Sequence, residues 1–335
     1  MKRPTNWLEL AAPATLVLIA ALLGLSASQS NQTYFIDTLV KVTIVVALYV
    51  FIGNSGVLSF GHISFVALGA WAAGVLSVPR GEKPAIMPNL AHFLRVTTVS
   101  SPTSLVIAAA VGGVFALVAG LALMRLSGLA AGIATFALLE IVHNMLRYYE
   151  KIGPGLNTFS SVPQTTGMWQ AAIGALIAVV VAFAYQRSRY GRTLRATRED
   201  PYAASATGIS IYTQRLIAFT LSGALAGFAG GLYVHFLPLN TEVVYLDLTF
   251  ITLAMLVVGG ATSLWGAVVG ALSVAALDSF LAAAENGVTI FGWTINLPAG
   301  TRLVVVGVLM AAVLILRPTG ITGGREFRLP GWWRR

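Results

Sequence analysis

The chain has no cysteine in 335 residues, and only 10% of its residues are charged. The first absence rules out a disulfide framework and any thiol or cysteine–metal chemistry. Its four lysines are Lys2, Lys41, Lys83 and Lys151, and none follows a glycine-rich loop ahead of Ser or Thr. A Walker-type phosphate cradle is therefore absent, so any ATP chemistry must belong to a separate chain. No basic domain stands apart from the apolar segments, so the net charge of +9 does not point to nucleic acid.

What remains is apolar. Hydrophobic residues make up 57% of the sequence and the mean hydropathy is +0.81. A soluble domain has nowhere to hide that much apolar surface, so the solvent that fits is lipid. Apolar runs between charged or Pro/Gly-rich breaks predict ten spans, near 8–26, 36–53, 57–78, 102–124, 128–147, 169–185, 215–236, 243–260, 264–283 and 300–316. At about 20 residues per span, ten spans need roughly 200 residues, close to the hydrophobic share. The expected fold class is an all-α, polytopic transmembrane bundle forming one domain over 1–335. The run at 243–260 is interrupted by Asp247 and ends early at Gly259 and Gly260, which also suits a re-entrant half-helix. The Pro-bearing loop 79–101 also suits an interfacial segment. The first run follows Lys2 and Arg3 and ends in Ser-Ala-Ser, a signal-peptide pattern. It is nevertheless long enough to span and leads straight into another apolar helix, so it reads as an uncleaved span.

With the N-terminus inside, fourteen of the 21 basic residues fall on the cytoplasmic side and seven outside. Ten spans return the C-terminus to that side, giving a cytoplasmic tail over 317–335. The densest charge lies in a loop over 187–214, where five arginines from Arg187 to Arg198 precede Glu199 and Asp200. Arg192, Arg195 and Glu199 share a helical face, and Pro201 stops that helix. Asp200-Pro201 reads as a new helix start and Gly208 as its stop, with Ala203, Ala204 and Ala206 between. A short, smooth, capped helix flanked by arginines suits docking into another protein. A loop serving only to set topology needs arginines but has no use for that helix.

Two glycine-rich stretches lie between apolar runs, "GNSGVLSFGHISFVALGAW" from Gly53 and "GGATSLWGAVVGA" from Gly259. Both suit tight helix packing or a passage lining, and their partial likeness suggests an internal repeat. His62 and His235 read first as hydrogen-bonded residues rather than ligands. Glu140, His143, Asn144 and Arg147 fall on one helix face. That stripe suits a passage or gate, an internally paired lock between helices, or a proton relay in a secondary transporter working alone.

Four stretches resemble the membrane permeases of bacterial branched-chain amino acid ABC importers, and the likeness runs from about Leu48 to Leu316. "GVLSFGHISFVALGAW" resembles the glycine–histidine signature, with Trp71 where Tyr is common. "RLSGLAAGIATFALLEI" is similar to the fifth-span motif, with Thr135 and Glu140 in place. "GRTLRATREDPYAASATGI" resembles the cytoplasmic coupling segment, and "GGATSLWGAVVGA" the late glycine motif. The resemblance implies an import subunit, not an enzyme, in a bacterial inner membrane. It implies pairing with a second, related permease, two cytoplasmic ATPase subunits that use the ATP, and an external solute-binding protein. No cofactor is implied for this chain. Arg192, Arg195, Glu199, Asp200, Ala203 and Gly208 are the expected ATPase-coupling residues; Ser59, His62 and Glu140 are the expected passage residues. Ala261 and Ala267 stand where the family often has Gly and Pro, and "KIGPGLNTFSSVP" lacks the usual glycines after threonine. These departures bear on the transported molecule, since relatives carry other amino acids, urea or small organic acids.

Overall fold

The computed structural model describes residues 7–327 apart from 286, 291, 292, 296, 299 and 318. The basic residues Lys2, Arg3, Arg328, Arg334 and Arg335 lie outside the described residues. The chain runs through α1 (Leu8–Ser26), α2 (Gln29–Ser55), α3 (His62–Ser77) and two short helices, α4 (Lys83–Ile86) and α5 (His92–Val96). It continues through α6 (Ser101–Leu123), α7 (Gly128–Tyr148), α8 (Met168–Arg187) and the short pair α9 (Arg189–Glu199) and α10 (Pro201–Ala206). Last come α11 (Ile211–Val234), α12 (Leu246–Gly259), α13 (Leu264–Glu285) and α14 (Thr301–Leu316). Between α13 and α14 two three-residue strands, β1 (Val288–Ile290) and β2 (Trp293–Ile295), pair antiparallel.

The ten apolar helices coincide with the ten expected spans. Seven are long and apolar enough to cross a membrane, while α3, α12 and α14 are shorter, at 14 to 16 residues. At 1.5 Å per residue these three reach only ~21–24 Å, short of the ~30 Å hydrocarbon layer. Two boundaries shift from expectation. Helix α2 begins at Gln29 rather than 36, because its polar first turns still make backbone bonds. The third span begins at His62 rather than 57, because Gly56 takes a left-handed φ of 70° and closes α2. Residues 56–61 are non-helical, and such backbone is tolerated in a bilayer only inside protein or beside water.

The core forms around α11, which packs on α6, α3 and α2, while α2 also packs on α8 and α13. Small residues let these axes close up. A Cβ at Gly227 would lie 2.3 Å from the Ala108 carbonyl of α6, and one at Gly69 would lie 2.1 Å from the Gly227 carbonyl. Helix α3 is enclosed, with 14 of its 16 residues buried.

One cluster of charges lies inside the bundle. Lys41 of α2 lies 2.6 Å from Asp37 and 3.5 Å from Asp278 of α13, and Arg302 of α14 lies 3.2 Å from the other Asp278 oxygen. Asp278 is only 4% exposed. Charges taken out of lipid and water must pair with one another, and here they tie three helices together. Asp278 also helps wall a cavity of about 330 Å³ among α12, α13 and α14.

The two ends of the described chain lie on one face. Arg187, at the end of α8, pairs with Glu9 of α1 at 3.1 Å. The tail after α14 folds back over the α12–α13 turn. Ile321 N–H donates to the Val258 carbonyl at 2.8 Å, and the Thr322 hydroxyl to the Gly259 carbonyl at 2.7 Å. Glu326 accepts from Leu264 N–H at 2.9 Å and Trp265 N–H at 3.2 Å, capping α13 from a distant point in the chain. Burial pushes the Glu326 carboxyl above its ordinary range, and those two amides pull it back. The Phe327 ring leans on Trp265 at 5.0 Å. Loss of such a cap costs about 1 kcal/mol, so Glu326→Ala is expected to speed tryptic cleavage after Arg325 about fivefold in the folded protein. Unchanged cleavage would mean that the tail is held without its glutamate.

Candidate functional site

The candidate site is the face where α9 and α10 project. Ser188 Oγ accepts from Gly191 N–H at 3.2 Å and opens α9. Gly191, Leu194 and Thr197 are buried, so one side of α9 lies on the bundle and the other is exposed. At Asp200 the chain turns. Its carboxylate accepts from both Tyr202 N–H and Ala203 N–H at 3.0 Å, the cap expected there. Helix α10 ends as expected at Gly208, with φ 82°. Ile209 N–H reaches the Ala204 carbonyl at 3.1 Å and Gly208 N–H reaches Ser205 at 3.0 Å, a Schellman closure. Among α10 residues only Ala204 is buried; Ala203 is exposed, and Tyr202 is 89% exposed. A tyrosine standing free beside alanines is a knob, and the sequence reading, fixed on the alanines, missed it.

The arginines divide. Arg192 is exposed and has no partner among the described residues. Arg195 instead turns inward and donates to the Gln186 carbonyl at 2.6 Å, so it holds α9 against the end of α8. Arg198, absent from the expected set, donates to the Gly53 carbonyl of α2 at 2.7 Å and pairs with Glu199 at 2.5 Å. That pairing holds the exposed Glu199 carboxyl below its ordinary range.

Both glycine-rich stretches lie beside these helices, and they touch each other. A Cβ at Gly53 would sit 2.5 Å from the Ala261 carbonyl in the α12–α13 turn. Each stretch holds a helix end, a non-helical break and the start of the next helix. In the first, Phe60 N–H donates to the Thr135 hydroxyl of α7 at 3.2 Å. The expected passage residues Ser59 and His62 are both buried and meet each other, His62 Nδ1 lying 2.8 Å from Ser59 Oγ. Phe51, Phe65 and Phe219 surround the imidazole. The Nε2 of His62 has no hydrogen-bond partner among the described residues, whereas both ring nitrogens of His235 are satisfied, by Ser104 Oγ at 2.8 Å and the Pro163 carbonyl at 2.9 Å.

Glu140 lies on the opposite half of the bundle. It accepts from Asn144 Nδ2 at 2.6 Å and from the Tyr245 hydroxyl. His143 stacks on the Tyr245 ring at 3.7 Å, and Arg147 pairs with Glu242 at 2.7 Å. The stripe therefore joins α7 to the segment entering α12. Its carboxylate and guanidinium are both engaged inside the protein. Among the described residues no cluster of His, Asp and Glu can hold a metal ion.

The model of the branched-chain amino acid transport system permease component family matches residues 32–314. The chain belongs to this family. The permease is 36% identical over 145 residues to the probable branched-chain amino acid transport permease protein LivH of Methanocaldococcus jannaschii, covering 41% of this chain and 42% of that one. It is 26% identical over 252 residues to LivM of Salmonella typhimurium, a high-affinity branched-chain amino acid transport system permease, covering 65% and 55%. It is 28% identical over 165 residues to LsrC of Escherichia coli, an autoinducer 2 import system permease, covering 46% and 44%. The permease thus spans about half the length of the curated relatives it matches. No solved structure matches it.

Proposed function

We propose that this permease is the membrane-spanning subunit of an ATP-driven importer, and that it forms the substrate passage for branched-chain or related amino acids. The observation that carries the proposal is α10, a projection closed at both ends whose outward atoms are small except for Tyr202. Such a shape has no work to do in lipid. It suits a groove on a cytoplasmic ATPase, with Arg192 free to meet acidic side chains there. The basic face, with the loop 187–214, the tail from 317 and both termini, is then the cytoplasmic side of a bacterial inner membrane.

In this reading the permease pairs with a second, related permease chain, two ATPase subunits bind below, and an external soluble protein delivers the solute. ATP is bound and split by the partner chains. Their closure pushes α10, and the bundle exchanges inward-facing for outward-facing states. No bond in the solute changes. A proton-coupled transporter working alone is the weaker reading, since the Glu140 carboxylate is already engaged by Asn144 and Tyr245.

Ala203→Trp places bulk on the exposed side of α10, where it does not disturb the fold. The purified variant is expected to elute as a folded permease that retains less than about a tenth of the ATPase bound by the native chain, the effect of ~1.4 kcal/mol lost at an interface. Full retention of ATPase would remove α10 from the docking role. Uptake by the assembled complex of labelled leucine, urea and an aromatic acid then identifies the solute class.

A further inference from the structure

Five arginines crowd the segment before α10, and their geometry gives them different work. Arg187 is paired with Glu9, Arg189 lies over the Tyr190 ring, and Arg192 is exposed. Arg195 holds its own neighbourhood through the Gln186 carbonyl, nine residues back. Arg198 alone among them hydrogen-bonds to α2, whose Gly53 carbonyl lies 145 residues away in sequence. We infer that Arg198 is the strut through which displacement of α10 reaches the end of α2 and the non-helical segment beyond it. The inference rests on the reading of α10 as the ATPase-docking helix.

The contact is made at the place where α2 gives way. Gly53 lies in the last turn of α2, where carbonyls have no helical partner, and a charged donor satisfies one of them. Three residues on, the left-handed Gly56 lies against the aliphatic part of the same side chain: a Cβ there would sit 2.7 Å from Arg198 Cγ. Arg198 therefore grips both sides of the helix end, by its guanidinium on Gly53 and its methylenes on Gly56. Asp200, two residues along, caps α10, so strut and docking helix share one turn of chain.

Beyond Gly56 the segment has little freedom to absorb a push. A Cβ at Gly61 would sit 2.4 Å from the Thr135 carbonyl of α7, and Phe60 N–H is bonded to the Thr135 hydroxyl. His62 then opens the enclosed α3. On its other side Gly53 abuts the Ala261 carbonyl, so the same displacement meets the α12–α13 turn. One side chain thus stands between the projecting helix and both glycine-rich breaks. The expected coupling set held Arg195 and not Arg198 because helical spacing counts residues on a face but does not say which face is turned in.

The permease has no native cysteine, so labels can be placed without background. The test uses the full complex with its ATPases in proteoliposomes, comparing the native chain with Arg198→Gln and Arg198→Lys. Spin labels go on Ala196→Cys, on the exposed side of α9, and Leu58→Cys, in the non-helical segment. In the native background the two labels are expected to keep one narrow separation through the ATP cycle. In Arg198→Gln that separation broadens, and solute imported per ATP falls about tenfold, the weight of one charge-assisted hydrogen bond. Arg198→Lys keeps the charge and much of the import, a rescue that a mere packing role does not give. If Arg198→Gln does not assemble, Arg198→Lys carries both readouts, with an intermediate broadening and an intermediate loss expected. Native separation and native import per ATP in an assembled variant overturn the strut. A native chain that binds no ATPase at all is a distinct result: it removes the docking reading, and the strut with it.

Discussion

Lys41→Met is expected to cost the folded permease about 3 kcal/mol, because it withdraws the buried cation that stands between the buried Asp278 and the half-buried Asp37. Asp37 then keeps only the hydrogen bond from the Tyr233 hydroxyl among the described residues, and Asp278 keeps only Arg302. Asp278→Ala is expected to cost less, about 2 kcal/mol, because Lys41 retains Asp37 and Arg302 is exposed enough to reach the interface. Replacing Lys41, Asp37 and Asp278 together by apolar residues of similar volume is expected to recover most of the loss, since the charge left without a partner, on Arg302, is exposed enough to reach the interface. Thermal unfolding in nanodiscs orders the three. A Lys41→Met protein as stable as the native one would mean that water, not lysine, balances those acids.

The second large effect lies in the core. Gly227→Ala adds a single methyl group where the Ala108 carbonyl is 2.3 Å away and the Gly112 Cα is 3.0 Å away. Neither neighbour is a flexible side chain end, so α6 and α11 must separate. The expected cost is about 3 kcal/mol or more, enough to lower the yield of folded protein sharply. Gly307→Ala is the contrast. Nothing lies within 4 Å of a Cβ there, and alanine favours a helix by about 0.5–1 kcal/mol, so no loss is expected. Equal behaviour of the two variants in nanodisc unfolding would contradict the close approach of α6, α3 and α11.

How far these features were legible differs by feature. The ten apolar runs were plain because a spanning helix must hide its backbone and show lipid an apolar surface. The cap at Asp200 and the stop at Gly208 were equally plain, since both signals act within a few residues. Long-range partners were not. Arg195 and Arg198 are three apart on the same turned-in side, yet nothing local says that Gln186 receives one and Gly53 the other. The tail gave no sign that Glu326 would cap α13. Asp278 did carry a signal that went unused: a carboxylate inside the apolar run 264–283 needs a countercharge, and Lys41 and Arg302 were the unspent cations nearby. The break at 56–61 lies in the glycine-rich stretch already singled out, but Val57, Leu58 and Phe60 made its residues read as the start of the third span.

Helix α3 has a consequence for how the molecule is made. It is apolar along its whole length, yet in the finished protein 14 of its 16 residues are buried by their neighbours. The walls that enclose it come from α6 and α11, and the last of them, around Gly230, is translated some 150 residues later. Until then those walls are missing, and the expected consequence is a late step in which α3 is drawn inward and enclosed. Ribosome-bound chains ending before α11 should therefore present Phe65 and Trp71 to lipid-borne crosslinkers, and full-length chains should not.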